Sequence, residues 1–99
     1  MTKEEKFEKL AILDFCLKIE NLYESGEECG TVKFNDKEFF VEFGHIWWDN
    51  RFTGKIEVGI TTPDDFWSIP IEVKVNREYG IDFHSLEKEM RELYMYGEI

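Results

Sequence analysis

The chain has 99 residues, enough for one domain, and 42% of them are hydrophobic, which is sufficient for one core. Its formal net charge is -10, from 22 acidic and 12 basic residues, so the chain repels nucleic acid and anionic lipid at long range and attracts basic partners. These totals predict one acidic domain, residues 1–99, and argue against direct nucleic-acid binding.

Compartment is indicated by the N-terminal residues and the cysteines. The first six residues are charged, with no signal-type apolar run behind them, and no stretch approaches the roughly 18 apolar residues of a membrane span. Cys16 and Cys29 lie in no CxxC or Cys/His cluster, which is typical of a reduced intracellular chain. We therefore expect a cytoplasmic protein without membrane contact.

The first predicted element is a helix from about Lys3 to about Tyr23. Thr2 and Glu5 have the spacing of a capping box, and Ser25-Gly26 supplies a stop signal. Helical periodicity places one apolar stripe on this helix, with Phe7, Ala11, Phe15, Ile19 and Leu22. This stripe is expected to cover a sheet.

A second apolar stripe lies on another side of the same helix and consists of Leu10, Leu13 and Leu17. Asp14, Lys18 and Asn21 separate the two stripes. Two interpretations remain open at this point: the leucines pack against a second helix, or they form the seam of a homodimer.

The hydrophobic period then changes from 3.6 to 2, which predicts strands. Four strands are expected, at 31–34, 38–48, 55–61 and 67–75, joined by turns at 35–37, 49–54 and 62–65. Gly44 allows a bend or bulge in the second strand, and Pro70 favours an edge position for the fourth.

A second helix follows Asp82, a good N-cap, with Ile81 and Leu86 spaced as a hydrophobic staple and Gly97 at its end. The predicted fold is therefore α+β in two layers: a four-stranded antiparallel meander with the N- and C-terminal helices on one face, in the order α-β-β-β-β-α. The expected core is Phe15, Ile19, Phe39, Val41, Phe43, Ile56, Val58, Ile71, Val73, Phe83, Leu86 and Met90.

The sequence contains no recognisable catalytic pattern. His45 and His84 belong to no HExxH or Cys/His spacing, and no phosphate-binding glycine loop or nucleophile motif is present. Cys29 follows two glutamates, whose charges oppose a thiolate. We therefore expect no catalytic residue, metal site or cofactor, and a protein that is not an enzyme.

The stretch "GHIWWDNRF" beginning at Gly44 is the main indicator of function. Adjacent strand residues point to opposite faces, so Trp47, in phase with Phe43, is expected in the core and Trp48 outside it, although a bulge at Gly44 would exchange them. The outer ring needs a cover, which is either Arg51 or Lys55 stacked on it within the chain or a partner protein, for which tryptophan and arginine are typical anchors. The expected partner-binding residues are Phe40, Glu42, Trp48, Asp49, Arg51 and Phe52.

These observations lead to two functional hypotheses. The first is a small acidic protein-binding domain of the inhibitor, immunity or phage anti-defence type, which occupies a basic surface of a partner protein. Strict mimicry of DNA fits less well, because twelve basic residues interrupt the acidic surface. The alternative is a self-associating structural or chaperone-like adaptor domain, based on Leu10, Leu13 and Leu17.

Overall fold

The computed structural model describes residues 2–63, 68–76 and 80–99. In chain order its elements are helix α1 (Lys3–Glu24), strands β1 (Cys29–Phe34), β2 (Lys37–Trp48), β3 (Arg51–Thr61), β4 (Ser68–Asn76) and β5 (Gly80–Ile81), and helix α2 (Phe83–Met95). Each strand pairs antiparallel with the next, in the order β1-β2-β3-β4-β5. The predicted α+β meander between terminal helices is confirmed.

The described part of the sheet has five strands, so the predicted number of four is wrong. β5 pairs Ile81 with Val75 and Gly80 with Asn76, and a strand of two residues is too short to produce an alternating pattern. Because β5 reaches only the last residues of β4, no described strand flanks Pro70 on that side, as expected from its missing N–H. The predicted turn residues Asp64 and Asp65, and the predicted strand start at Trp67, lie outside the described residues.

Both helices begin and end at the signals in the sequence. The Thr2 hydroxyl accepts a hydrogen bond from the Glu5 N–H at 3.1 Å, and Gly26 follows α1 with a φ of 81°. α2 starts after Asp82, whose side chain forms no capping hydrogen bond among the described residues. Gly97 ends α2 in the left-handed conformation that glycine adopts without strain.

The core lies between the two helices and one face of the sheet. Ten of the twelve predicted core residues are buried, whereas Phe43 and Phe83 are only half-buried. Further buried residues are Ile12, Cys16, Val32, Phe34, Ile60 and Ile81. The ring of Phe15 on α1 packs against Phe34 and Phe39 at centroid distances of 5.0 and 5.6 Å, which joins the helix to β1 and β2.

The leucine stripe of α1 does not pack on α2, so that interpretation is wrong. Leu10 is 60% exposed and Leu17 48% exposed, while Leu13 is half-buried. α2 lies beside α1 over the same sheet face and therefore contacts the flank of α1, where Cys16 lies near Glu87. The stripe lies on the far side of α1 from the core.

Tight turns connect the first three strands. Asn35 and Asp36 have φ values of 49° and 66°, and Asp49 and Asn50 have values of 50° and 62°. Two consecutive left-handed residues define the type I′ turn, whose twist matches that of a hairpin. The chain therefore reverses at Asp49-Asn50 alone, and Thr53-Gly54 already belongs to β3.

A bulge interrupts the β2–β3 ladder, but not at Gly44. Trp47 pairs with Phe52 and His45 with Ile56, so a single residue of β2, Ile46, faces three residues of β3. Gly54, among those three, has a φ of 80°. The Thr53 hydroxyl closes the bulge, donating to the Ile46 carbonyl at 2.8 Å and accepting from the Lys55 N–H at 3.3 Å. Glycine is needed at this position because its backbone is left-handed.

Candidate functional site

The β2–β3 hairpin extends beyond the helices. His45 contacts α1, with its Nε2 3.3 Å from the hydroxyl of Tyr23. Residues 46–53 continue β2 and β3 past this contact and include the turn between them, in a molecule with extents of 46, 29 and 24 Å. Trp47 is 62% exposed and Trp48 79% exposed in this segment. We call residues 46–53 the hairpin tip.

An unbroken series of ring contacts runs from α1 to the hairpin tip. The ring of Tyr23 packs against Phe43 at 5.2 Å and His45 at 6.2 Å, His45 packs against Phe52 at 5.2 Å, and Phe52 packs against Trp47 at 5.5 Å. We call these five residues the aromatic strip. Its inner end is half-buried at Tyr23 and Phe43, and its outer end is exposed at Trp47.

The prediction that Trp47 belongs to the core is wrong, although its strand phase was correct. Trp47 reaches Phe52 and, through it, His45 and Tyr23, so it lies on the helix-facing side of the hairpin. Within the described residues no helix extends over this part of the hairpin, and the ring stays exposed. Alternation determines which face a residue takes, whereas burial also requires an element above that face.

The structure separates the six predicted partner-binding residues into three groups. Trp48 and Arg51 pair directly across the turn, with Asp49 beside them. Phe52 pairs with Trp47 and therefore lies on the opposite face.

The third group, Phe40 and Glu42, lies on the outer face of the sheet. Eight residues separate Phe40 from Trp48 along β2, about 26 Å at the usual rise per strand residue. Glu42 is about 20 Å from Trp48 by the same measure. Only Trp48, Asp49 and Arg51 therefore form one surface.

A groove adjoins the inner end of the aromatic strip. Its volume is about 690 Å³, within the range of ligand pockets in proteins. Tyr23, Phe43 and His45 line it together with Gly80 and with residues from the end of α1 and the α1–β1 loop. The Glu24 side chain lies close to Gly80, where a Cβ atom would be 2.8 Å from Oε1 of Glu24.

Three of the residues that line this groove are acidic: Glu24, Glu27 and Glu28. All three residues are exposed, while desolvation by burial raises the pKa of the neighbouring Tyr23 hydroxyl. Carboxylates beside aromatic faces favour cations, through ion pairs and through the negative faces of the rings. The groove therefore has the chemistry of a site for a lysine or arginine side chain.

Neither cysteine lines this groove. Burial, and then the charges of Glu87 and Glu20, raise the pKa of Cys16 to about 12, which keeps this thiol protonated and unreactive at neutral pH. Cys29 is exposed at the start of β1. Residues 2–63, 68–76 and 80–99 contain no group of three His, Cys, Asp or Glu side chains placed to hold a metal ion.

No protein-family model, curated protein or solved structure matches this chain. Among the described residues, neither helix has the length and apolar character needed to cross a membrane. The residues of the tip and the groove are therefore the available basis for a functional proposal.

Sequence reasoning missed the inner half of the site. In the sequence, Tyr23 is only the end of the predicted first helix, and His45 is only a histidine outside any metal-binding spacing. The sequence did contain one signal, the position of Glu27 and Glu28 directly after the helix stop at Gly26. This position places both residues near the end of α1 that contains Tyr23. Whether Glu27, Glu28 and Tyr23 lie next to β2 depends on which strands α1 crosses. Local sequence patterns do not predict that crossing.

Proposed function

We propose that this chain is a small acidic binding domain that occupies a basic surface of another protein, as inhibitors, immunity proteins and phage anti-defence factors do. The exposure of Trp47 and Trp48 at the end of the aromatic strip carries this proposal. Large apolar side chains grouped on a protein surface mark interaction sites, and tryptophan is the side chain most enriched at interface centres. Exposing two large indole rings to water is unfavourable, and a partner surface that buried them would remove this cost.

The partner surface is expected to contain an exposed lysine or arginine beside an apolar depression. The cation enters the groove near Glu27 and Glu28, where it also meets the face of an aromatic ring. The depression receives the hairpin tip, with Trp47 on one of its faces and Trp48 on the other. Arginine fits best, because its planar guanidinium both stacks on rings and binds carboxylates with two hydrogen bonds.

Long-range electrostatics support the same class of partner. The net charge of -10 attracts basic surfaces and accelerates their encounter, with an effect that salt weakens. Arg51 is the single basic residue among positions 46–53, so the hairpin tip repels a basic partner only weakly. We propose a binding role without catalysis, since binding by the aromatic strip and the carboxylates requires no reactive group.

Self-association in a structural or adaptor role is the second candidate. The exposure of Leu10 and Leu17 favours it, because these side chains lie on a helix face that the described residues leave open. The two candidates use different surfaces, and a chain that dimerises through α1 retains its hairpin tip for a partner.

The proposal is tested by comparing two immobilised baits in an extract of the source cells, or of infected cells: the wild-type chain and a Trp47→Ala/Trp48→Ala variant. We expect the wild type to retain a basic protein that the variant loses. The purified partner should then bind Glu27→Gln/Glu28→Gln several-fold more weakly than wild type. Identical retention by both baits, or a retained partner without a basic surface, would refute the proposal.

A further inference from the structure

We propose that α1 forms the seam of a two-fold symmetric, antiparallel homodimer. One line of residues along α1 follows alternating steps of three and four, the spacing of positions a and d in a helix-pairing heptad. The line consists of Lys3, Lys6, Leu10, Leu13, Leu17, Glu20 and Glu24. We call it the α1 line.

The structure leaves the α1 line accessible from Lys3 to Leu17, whereas the side chain of Glu24 at its end lies against Gly80 and also lines the groove. Five of its residues are exposed, and Leu13 and Glu20 are half-buried. The core residues of α1, such as Phe15 and Ile19, project from the other side of the helix and are fully buried. The line spans about 32 Å at the usual rise per helical residue, long enough for a helix-to-helix contact.

The order of residue types along the line indicates which occupant fits. Two lysines come first, three leucines follow, and two glutamates come last. A second copy placed antiparallel, with Leu13 near the two-fold axis, brings Lys6 opposite Glu20 and Leu10 opposite Leu17 of the other chain. Symmetry repeats each contact, so the pattern is self-complementary. A parallel copy would oppose lysine to lysine and glutamate to glutamate.

The charges on the line favour pairing with another chain over pairing within this one. Lys3, Lys6, Glu20 and Glu24 form no ion pair with each other or with other described residues. Glu20 is four residues from Glu24 on the same face, and burial together with that like charge raises the pKa of Glu20. A lysine from a second copy would offset this repulsion.

Two features make the contact compatible with a strongly acidic protein. The line is electrically neutral, with two basic and two acidic residues, so the net charge of -10 is located elsewhere on the chain. Phe7, which is exposed beside the lysine end, extends the apolar surface. The hairpin tip takes no part in the seam.

Sedimentation velocity over a range of concentrations tests the proposal. The wild-type chain is expected to shift from monomer to dimer as concentration rises. Leu13→Glu is expected to remain monomeric with an unchanged circular dichroism spectrum, because Leu13 is outside the buried core. A wild-type chain that stays monomeric into the millimolar range, or a Leu13→Glu variant that still dimerises, would overturn the proposal.

Charge reversal tests the antiparallel arrangement. Lys6→Glu and Glu20→Lys should each weaken dimerisation, by about tenfold when two symmetric surface pairs are lost. An equimolar mixture of these two variants should form a heterodimer, and the Lys6→Glu/Glu20→Lys double variant should regain wild-type affinity. Equal weakening in the single variants, the mixture and the double variant would contradict the antiparallel pairing.

Discussion

The β2–β3 hairpin has one half beneath the helices and one half beyond them, and the two halves differ in burial while sharing the same alternation. Beneath the helices, Val41 and Val58 are fully buried. Beyond the helices, Trp47 lies on the same side of the hairpin as the core, yet most of its surface meets solvent. The comparison shows that a strand pattern defines a face, whereas the elements stacked on that face determine stability.

The largest expected effect is on the covered half. Val41→Asp places an unpaired charge in the core and should remove several kcal/mol from a domain stability of roughly 5–15 kcal/mol, which unfolds most of the chain. Trp48→Asp, the same kind of change at the tip, should leave the melting temperature nearly unchanged. Thermal melts followed by circular dichroism compare the two, and similar losses in both variants would abolish the distinction.

The next effect concerns binding at the tip. Trp48→Ala and Trp47→Ala should each weaken partner binding by more than about 2 kcal/mol, about thirtyfold, because interface tryptophans commonly contribute this much. Their melting temperatures should change little, since both rings are largely exposed. Calorimetric titration with the identified partner measures the loss, and Trp48→Tyr is the matched control. If a variant loses stability instead of affinity, its tryptophan ring stabilises the fold and does not bind the partner.

The bulge that joins the two halves predicts a smaller effect on stability. Gly54→Ala forces a left-handed backbone on a residue with a Cβ atom and should cost about 1 kcal/mol or slightly more. Gly44→Ala is the control: neither glycine has an atom within 4 Å of the added Cβ, and only Gly54 has a positive φ. Chemical denaturation of both variants separates the backbone effect from packing. Equal losses of stability would mean that the left-handed conformation of Gly54 has no special cost.

The smallest expected effect is at the boundary between the halves. Tyr23→Phe removes the hydroxyl that lies 3.3 Å from Nε2 of His45 but keeps the ring contacts of the aromatic strip. An exposed hydrogen bond contributes little, so the free energy of unfolding should fall by less than about 1 kcal/mol. Tyr23→Ala, which removes the ring as well, should cost clearly more in the same denaturation experiment. Equal costs would mean that the strip does not anchor the tip.

Much of the fold follows from local patterns in the chain. The capping residues of α1, the glycine stop at Gly26 and the phases of the long strands all depend on near neighbours in sequence. Strand β5 was not predicted because a strand of two residues is too short to show a periodic pattern. The bulge was expected at Gly44 rather than Gly54 because either glycine is compatible with the sequence, and only the β2–β3 register distinguishes them.

The candidate site was less predictable than the fold. The exposed position of Trp48 followed from its strand phase, but the exposure of Trp47 depends on where α1 ends relative to β2. Phe52 was placed with Trp48 by sequence proximity, whereas the type I′ turn pairs it with Trp47. The acidic groove required Tyr23 and His45 to meet across 22 positions of sequence. Such contacts depend on tertiary geometry, which a single sequence does not reveal.

The nearest-neighbour order of the sheet has a consequence for how the chain folds. Every described strand pairs with the strands next to it in sequence, so the sheet closes only short loops as it forms. The turn at Asp49-Asn50 brings together the two longest strands, and hairpins form within microseconds when their turn is favourable. We therefore expect the β2–β3 hairpin to be an early folding unit, with the helices docking afterwards. The segment that carries the tryptophans would then acquire its register before the core beneath it is complete.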